Sequence, residues 1–151
     1  MKTRAIVVVE KGRAEIGEAE LPPVKHGQVL VETLWTGVSI GTERWIFLGE
    51  YYNTTFPLIP GYQRSARVLE VGPDVRDFRP GDRVWCGGTL TADGEKKKRY
   101  FGGHTAHAVS AADACMKIPD EVTDEEAALA KMGAISRHGL EVMGTHKGEL
   151  V

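Results

Sequence analysis

Cysteine is scarce: Cys86 and Cys115 are the only two in 151 residues. They form no C-x-x-C pair, so the chain writes no structural zinc site of that spacing. The N-terminus carries no signal peptide, so a disulfide framework is not expected, and the two thiols read most simply as core residues. No apolar run approaches the ~20 residues that a membrane-spanning helix needs. No sign of charge dominates, with 19 basic against 21 acidic residues and a net charge of −2. That balance gives no reason to expect nucleic acid or an acidic membrane as a partner. The single basic cluster, EKKKRY at 95–100, reads first as a solvated loop and second as a phosphate site. The sequon at Asn53 means little without a secretion signal. The expectation is a cytoplasmic, single-core globular protein.

What is present is β-structure. TRAIVVVE (3–10) is rich in β-branched residues and stops at the turn KGRAE. QVLVETLWTG (28–37) alternates, with Val29, Val31, Thr33 and Trp35 on one side and Leu30, Glu32 and Leu34 on the other. RSARVLEVG (64–72) alternates and ends at Gly72-Pro73, and DRVWC (82–86) follows the turn RPGD. HTAHAVS (104–110) and ACMKI (114–118) are two shorter candidates. Short strands punctuated by glycine and proline point to a barrel or sandwich.

The character changes after Pro119. Thr123 followed by Glu126 is a capping box, and the acidic first turn suits the helix dipole. Ala127 to Ala130 continue as helix formers. A second helical stretch, AISRHGLEVMG (134–144), ends at Gly144, and THKGELV reads as a turn opening a buried strand. A strand without a neighbour there suggests a piece of something longer.

Five segments in one order, TGVSIGTERWIFLG, FPLIPGYQRSARVLEVGPDVRDFRPGDRV, GGHTAHAV, KIPDEVTDEEAAL and AISRHGL, resemble the N-terminal domain of the medium-chain dehydrogenase/reductase superfamily, the alcohol dehydrogenase-like group. GVSIGTE with PGYQ is most similar to its bacteriochlorophyllide a dehydrogenase-like branch. The resemblance implies a mainly β, GroES-like barrel over 1–122. Residues 123–151 would be the helical connection and first strand of a Rossmann domain that is otherwise absent from the chain. It implies NAD or NADP as cofactor of a full-length protein, with homo-oligomers usual in the family. The glycine-rich phosphate loop would fall beyond Val151 and no other G-x-G-x-x-G occurs, so the chain alone is expected to be inactive.

The resemblance also locates a zinc site whose ligands have changed. The cysteine position falls at Ser39 or Ile40, the histidine position at Tyr62, the neighbouring glutamate at Gln63, and the proton-relay histidine at Trp45. None of these is a thiolate, imidazole or carboxylate, so no zinc is expected. The four-cysteine lobe is replaced by GGTLTADGEKKKRYFGG. His104 and His107 differ in parity on a strand, so one metal would not bridge them; one surface and one half-buried histidine is the plainer reading. Thr42 and Tyr62 carry hydroxyls that could orient and polarise a substrate, with Gln63 in support. The alternative is that Tyr62 and Gln63 fill the vacated space and pair with each other. Trp45, Tyr51 and Tyr52, with Phe47 and Phe56 nearby, would wall a substrate pocket alongside Ser39, or else pack under the loop. Glu43 reads first as a structural hydrogen bond or ion pair. The functional expectation is the substrate-side domain of a zinc-independent NAD(P)-dependent oxidoreductase acting on a carbonyl/alcohol pair or an activated double bond. Its rival is a non-catalytic free-standing barrel that binds a small molecule or a protein.

Overall fold

The computed structural model describes residues 1–88, 102–144 and 148. The basic cluster at 95–100 and the strand opening at 149–151 lie outside the described residues. Strands β1 (Lys2–Glu10) and β2 (Arg13–Glu20) form a hairpin. Strands β3 (Gln28–Thr36), β4 (Arg64–Val71), β5 (Arg83–Cys86), β6 (His107–Ala111) and β7 (Cys115–Lys117) form a five-stranded antiparallel sheet in the order β6-β3-β4-β5-β7. The helices are α1 (Ile40–Phe47), α2 (Asp124–Ala128) and α3 (Ala130–Met143). The architecture is mainly β with few helices, as the alternating segments imply. Among the described residues the sheets do not close into a barrel; single bridges from Ala5 to Thr105 and from Val8 to Leu58 tie the hairpin to the rest.

Alternation puts Val29 and Val31 of β3, Ala66 and Val68 of β4 and Val84 and Cys86 of β5 into one core. It fails at Trp35, which is 51% exposed. Between Thr33 and Trp35 the register with β4 shifts, because Leu34 is an extra residue opposite Ala66 and Ser65. A bulge there turns the strand's end outward. The hairpin stands on a second cluster of Ala5, Val7, Ala19 and Ile59. A third cluster joins Val8, Ile46 and Leu58, with Phe47, Tyr51 and Phe56 packed on it, and so fixes α1 against β1.

The connection after the sheet starts as the capping box requires. Thr123 Oγ1 accepts from the Glu126 N–H at 3.2 Å, and Glu126 Oε2 accepts from the Thr123 N–H at 3.0 Å. Helix α3 ends at Gly144 in the left-handed conformation and buries no residue. Among the described residues no helix is long and apolar enough to cross a membrane.

Candidate functional site

Three segments meet beside β1: helix α1, the turn Pro60–Gln63, and the stretch Gly102–His104. Two glycines make the meeting possible. The Gly103 N–H donates to the Gly61 carbonyl at 2.7 Å and the His104 N–H to the Pro60 carbonyl at 3.0 Å. A Cβ on Gly103 would stand 2.5 Å from the Gly61 carbonyl carbon, and Gly61 has φ +91°. Only residues without a side chain allow backbones so close.

That approach aims His104 at α1. His104 Nε2 lies 2.6 Å from Glu43 Oε2, with both side chains 9% exposed. The other carboxylate oxygen accepts from the Ser39 N–H at 2.9 Å. Ser39 is the N-cap residue, without a side-chain capping bond; the Glu43 carboxylate instead ties the N-cap N–H to the first turns of α1. Glu43 thus makes structural hydrogen bonds, one of the two readings that its type suggests. His107 goes elsewhere: its Nδ1 lies 3.3 Å from Thr3 Oγ1. Among the described residues no three His, Cys, Asp or Glu side chains gather as a metal-binding group.

The residues singled out in the sequence fall into distinct surroundings. Thr42 is half-buried in the first turn of α1. Ser39 is buried at the start of that helix. The Tyr62 hydroxyl donates to Met132 Sδ on α3 at 3.0 Å. Gln63 is fully buried, and among the described residues neither atom of its amide has a hydrogen-bond partner. A side-chain pairing of Gln63 with Tyr62 is therefore not formed. The Gln63 amide presses on Gly37, where a Cβ would meet its Nε2 at 2.6 Å and the Ala128 carbonyl of α2 at 2.6 Å. The aromatic group divides. Tyr51 packs with Phe47 and Phe56 on the third cluster, whereas Trp45 is 57% and Tyr52 82% exposed.

A groove of about 490 Å³ runs along β1, lined by Val8, Val38, Ile40 and Phe47, with Glu43 and His104 among its few polar groups. An apolar cleft with convergent polar groups is the usual form of a small-molecule site. Sequence reading missed the His104–Glu43 connection. The available signal was GGH, a glycine pair before an imidazole.

Arg64 is the other unanticipated feature. It follows Gln63 directly and is fully buried. Its Nη1 donates to Thr33 Oγ1 at 3.0 Å and Thr105 Oγ1 at 2.9 Å, Nη2 to the Gly102 carbonyl at 2.6 Å, and Nε to the Gly87 carbonyl at 3.2 Å. Burial lowers its pKa, yet guanidinium stays charged in proteins. The charge sits among neutral acceptors and clamps the strands flanking the site.

Comparison with known proteins agrees with this fold. The alcohol dehydrogenase GroES-like domain matches residues 25–120. A 2-desacetyl-2-hydroxyethyl bacteriochlorophyllide A dehydrogenase of Cereibacter sphaeroides is 31% identical over 146 residues, covering 93% of this chain and 45% of that protein. An alcohol dehydrogenase of Geobacillus stearothermophilus is 31% identical over 166 residues, covering 97% and 49%. The solved structure of CAD from Helicobacter pylori, complexed with NADP(H), superposes with a TM-score of 0.85 at 18% identity, covering 98% of this chain and 50% of that one. The chain spans about half the length of the curated relatives it matches.

Proposed function

The chain belongs to the alcohol dehydrogenase GroES-like domain family of the medium-chain dehydrogenase/reductase superfamily, and from that membership we propose that it is the substrate-side domain of an NAD(P)-dependent, zinc-independent oxidoreductase. The substrate would be a carbonyl/alcohol pair or an activated double bond. Residues 1–122 form the substrate-side unit and 123–151 lead into the nicotinamide-binding unit.

The observation that carries the proposal is the meeting of α1 with the Pro60–Gln63 turn through Glu43, His104 and Pro60. It fixes in relation to each other the two segments that bear Thr42 and Tyr62. Nicotinamide, when bound, supplies or takes the hydride. The chain's own task is to orient the reacting oxygen and to stabilise or protonate it. Thr42 and Tyr62 carry the hydroxyls for that work, and Glu43 with His104 positions them. The donors at the zinc positions do not suit the metal. Ser39 caps a helix with its backbone, Ile40 is 81% exposed and apolar, Gln63 offers a neutral amide, and Tyr62 donates to a thioether. Zinc prefers thiolate, imidazole or carboxylate, so neutral hydrogen-bond donors take the polarising role in this reading.

The test is nicotinamide-dependent turnover of the chain joined to its cofactor-binding partner domain, with elemental analysis alongside. Tyr62→Phe and Thr42→Ala are expected to lower kcat by about 10²-fold each, with cofactor binding unchanged and zinc below stoichiometric. Unchanged turnover in both variants, or tight stoichiometric zinc, would refute the reading.

A further inference from the structure

We propose that Cys86 and Cys115 form a buried dithiol that a hydroperoxide converts into a cross-strand disulfide, making this pair an oxidative modification site. The inference stands on strand register and is independent of the proposed oxidoreductase activity.

Cys86 on β5 lies directly opposite Cys115 on β7. The Ile118 N–H donates to the Arg83 carbonyl at 3.0 Å, which sets the phase of that ladder. Hydrogen-bonded and non-hydrogen-bonded positions alternate along an antiparallel pair. Counting from Arg83 and Ile118, Cys86 and Cys115 occupy a non-hydrogen-bonded position. There the Cα atoms stand about 4.5 Å apart and the side chains converge, a spacing at the short end of the range that disulfides span. Bridging therefore needs rotation of two thiols and little movement of backbone.

The surroundings favour reaction at Cys86. Arg64 is its register partner on the other side, on β4. The row Arg64, Cys86, Cys115 thus crosses three neighbouring strands, with a guanidinium whose bonded acceptors are all neutral at one end. Such a charge stabilises a thiolate beside it. The neighbouring Cys115, and after it Arg64, hold the Cys86 thiol down at about 7 against the effect of burial, while the Cys115 S–H itself donates to the Ala111 carbonyl at 3.3 Å. The neighbouring Cys86 sulfur and burial push Cys115 up. One sulfur is thus the nucleophile and the other the resolving thiol. Both are buried. A cavity of about 490 Å³ is lined by sequence neighbours of the cysteines, Trp85, Gly87 and Ala114, and by neither cysteine, so a small peroxide must pass that wall to reach the thiols.

The chemistry balances. The Cys86 thiolate attacks one peroxide oxygen, the O–O bond breaks, and the sulfur becomes a sulfenic acid while water or an alcohol leaves. The Cys115 sulfur then attacks the sulfenic sulfur, the S–S bond forms, and the hydroxyl departs as water with the second thiol proton. Two electrons pass from the thiols to the peroxide. The bridge joins β7, whose one neighbour in the sheet among the described residues is β5, covalently to the sheet.

The experiment treats the folded protein with hydrogen peroxide in molar excess, then unfolds it in an alkylating reagent and maps the peptides by mass spectrometry. The expected result is loss of both alkylatable thiols, a Cys86–Cys115 linked peptide two hydrogens lighter, recovery with dithiothreitol, and a higher urea midpoint for the oxidised form. In Cys115→Ser, or Cys115→Ala should the serine variant not fold, Cys86 is expected to be trapped by dimedone as the sulfenic acid. In Cys86→Ser, Cys115 is expected to stay reduced. The proposal is overturned if wild-type protein keeps both thiols under peroxide, or if the bridge forms only between molecules.

Discussion

Glu43 and His104 stand 2.6 Å apart although 61 positions separate them in the chain. The carboxylate serves two elements at once, since its second oxygen accepts from the Ser39 N–H. Removing it leaves a buried imidazole and a helix-start N–H without their acceptor. Hydrogen bonds to charged groups contribute about 1.5–3 kcal/mol each. Glu43→Ala is therefore expected to lower unfolding stability by about 3 kcal/mol, read from urea denaturation. Glu43→Gln, which keeps the shape and loses the charge, should cost less. Equal stability of wild type and Glu43→Ala would show that the pair does not hold α1.

Arg64 gives a sharper contrast. Four of its N–H groups are spent on acceptors from three parts of the chain: Thr33, Gly87, and the Gly102–Thr105 stretch. Lysine keeps the charge but lacks the planar fork. Arg64→Lys is expected to destabilise by about 2–4 kcal/mol, nearly as much as Arg64→Met, because most of the acceptors are orphaned either way. If Arg64→Lys were neutral, the charge rather than the fork would be what the fold uses there.

How much of this could be read from the sequence follows from what each element buries. The core strands were legible because Val29, Val31, Val68 and Val84 alternate into one cluster. β2 was not, because RAEIGEAE fully buries just Ala19 and leaves even its one large apolar residue, Ile16, exposed. α1 was hidden because it buries only Glu43 and Ile46 and has no side-chain cap. The type of bond made by Glu43 was legible, and its partner was not, because that partner arrives from a distant glycine pair. The aromatic cluster shows the same limit. Tyr51 and Tyr52 are neighbours in sequence, and only a third dimension separates the packed ring from the exposed one.

The glycine pair that delivers His104 carries its own prediction. Gly103→Ala would place a methyl carbon 2.5 Å from the Gly61 carbonyl carbon and 2.7 Å from the Tyr62 nitrogen. Backbone atoms cannot turn aside as a side chain can, so the two segments must separate. The expected cost is about 1–3 kcal/mol, the range for overpacking. The His104 ring resonances should shift in the same variant, as its contact with Glu43 loosens. Gly133→Ala is the control: its Cβ meets nothing within 4 Å, and the site lies on the exposed helix α3.

The last prediction concerns acid. Among the hydrogen-bonded carboxylates held below their ordinary range are Glu126, by the Thr123 backbone N–H and then its hydroxyl, and Asp74, first by the Gly27 N–H at 2.7 Å. A carboxyl group whose folded pKa lies below its unfolded value binds its proton more readily in the unfolded chain. Its stabilisation is complete above the unfolded pKa, about 4.3 for Glu and 3.9 for Asp, and is lost as pH falls through the lower, folded value. The urea midpoint should therefore be flat with respect to these groups above about pH 5 and decline below about pH 4. Glu126→Gln and Asp74→Asn should each make that decline shallower, at the cost of a lower plateau at neutral pH. Thr123→Ala, which removes the cap hydroxyl, should cost about 1 kcal/mol and also weaken the acid dependence, because the hydroxyl donating to Glu126 is gone. An acid profile unchanged in Glu126→Gln and Thr123→Ala would mean that the capping box forms without contributing to the stability of the fold.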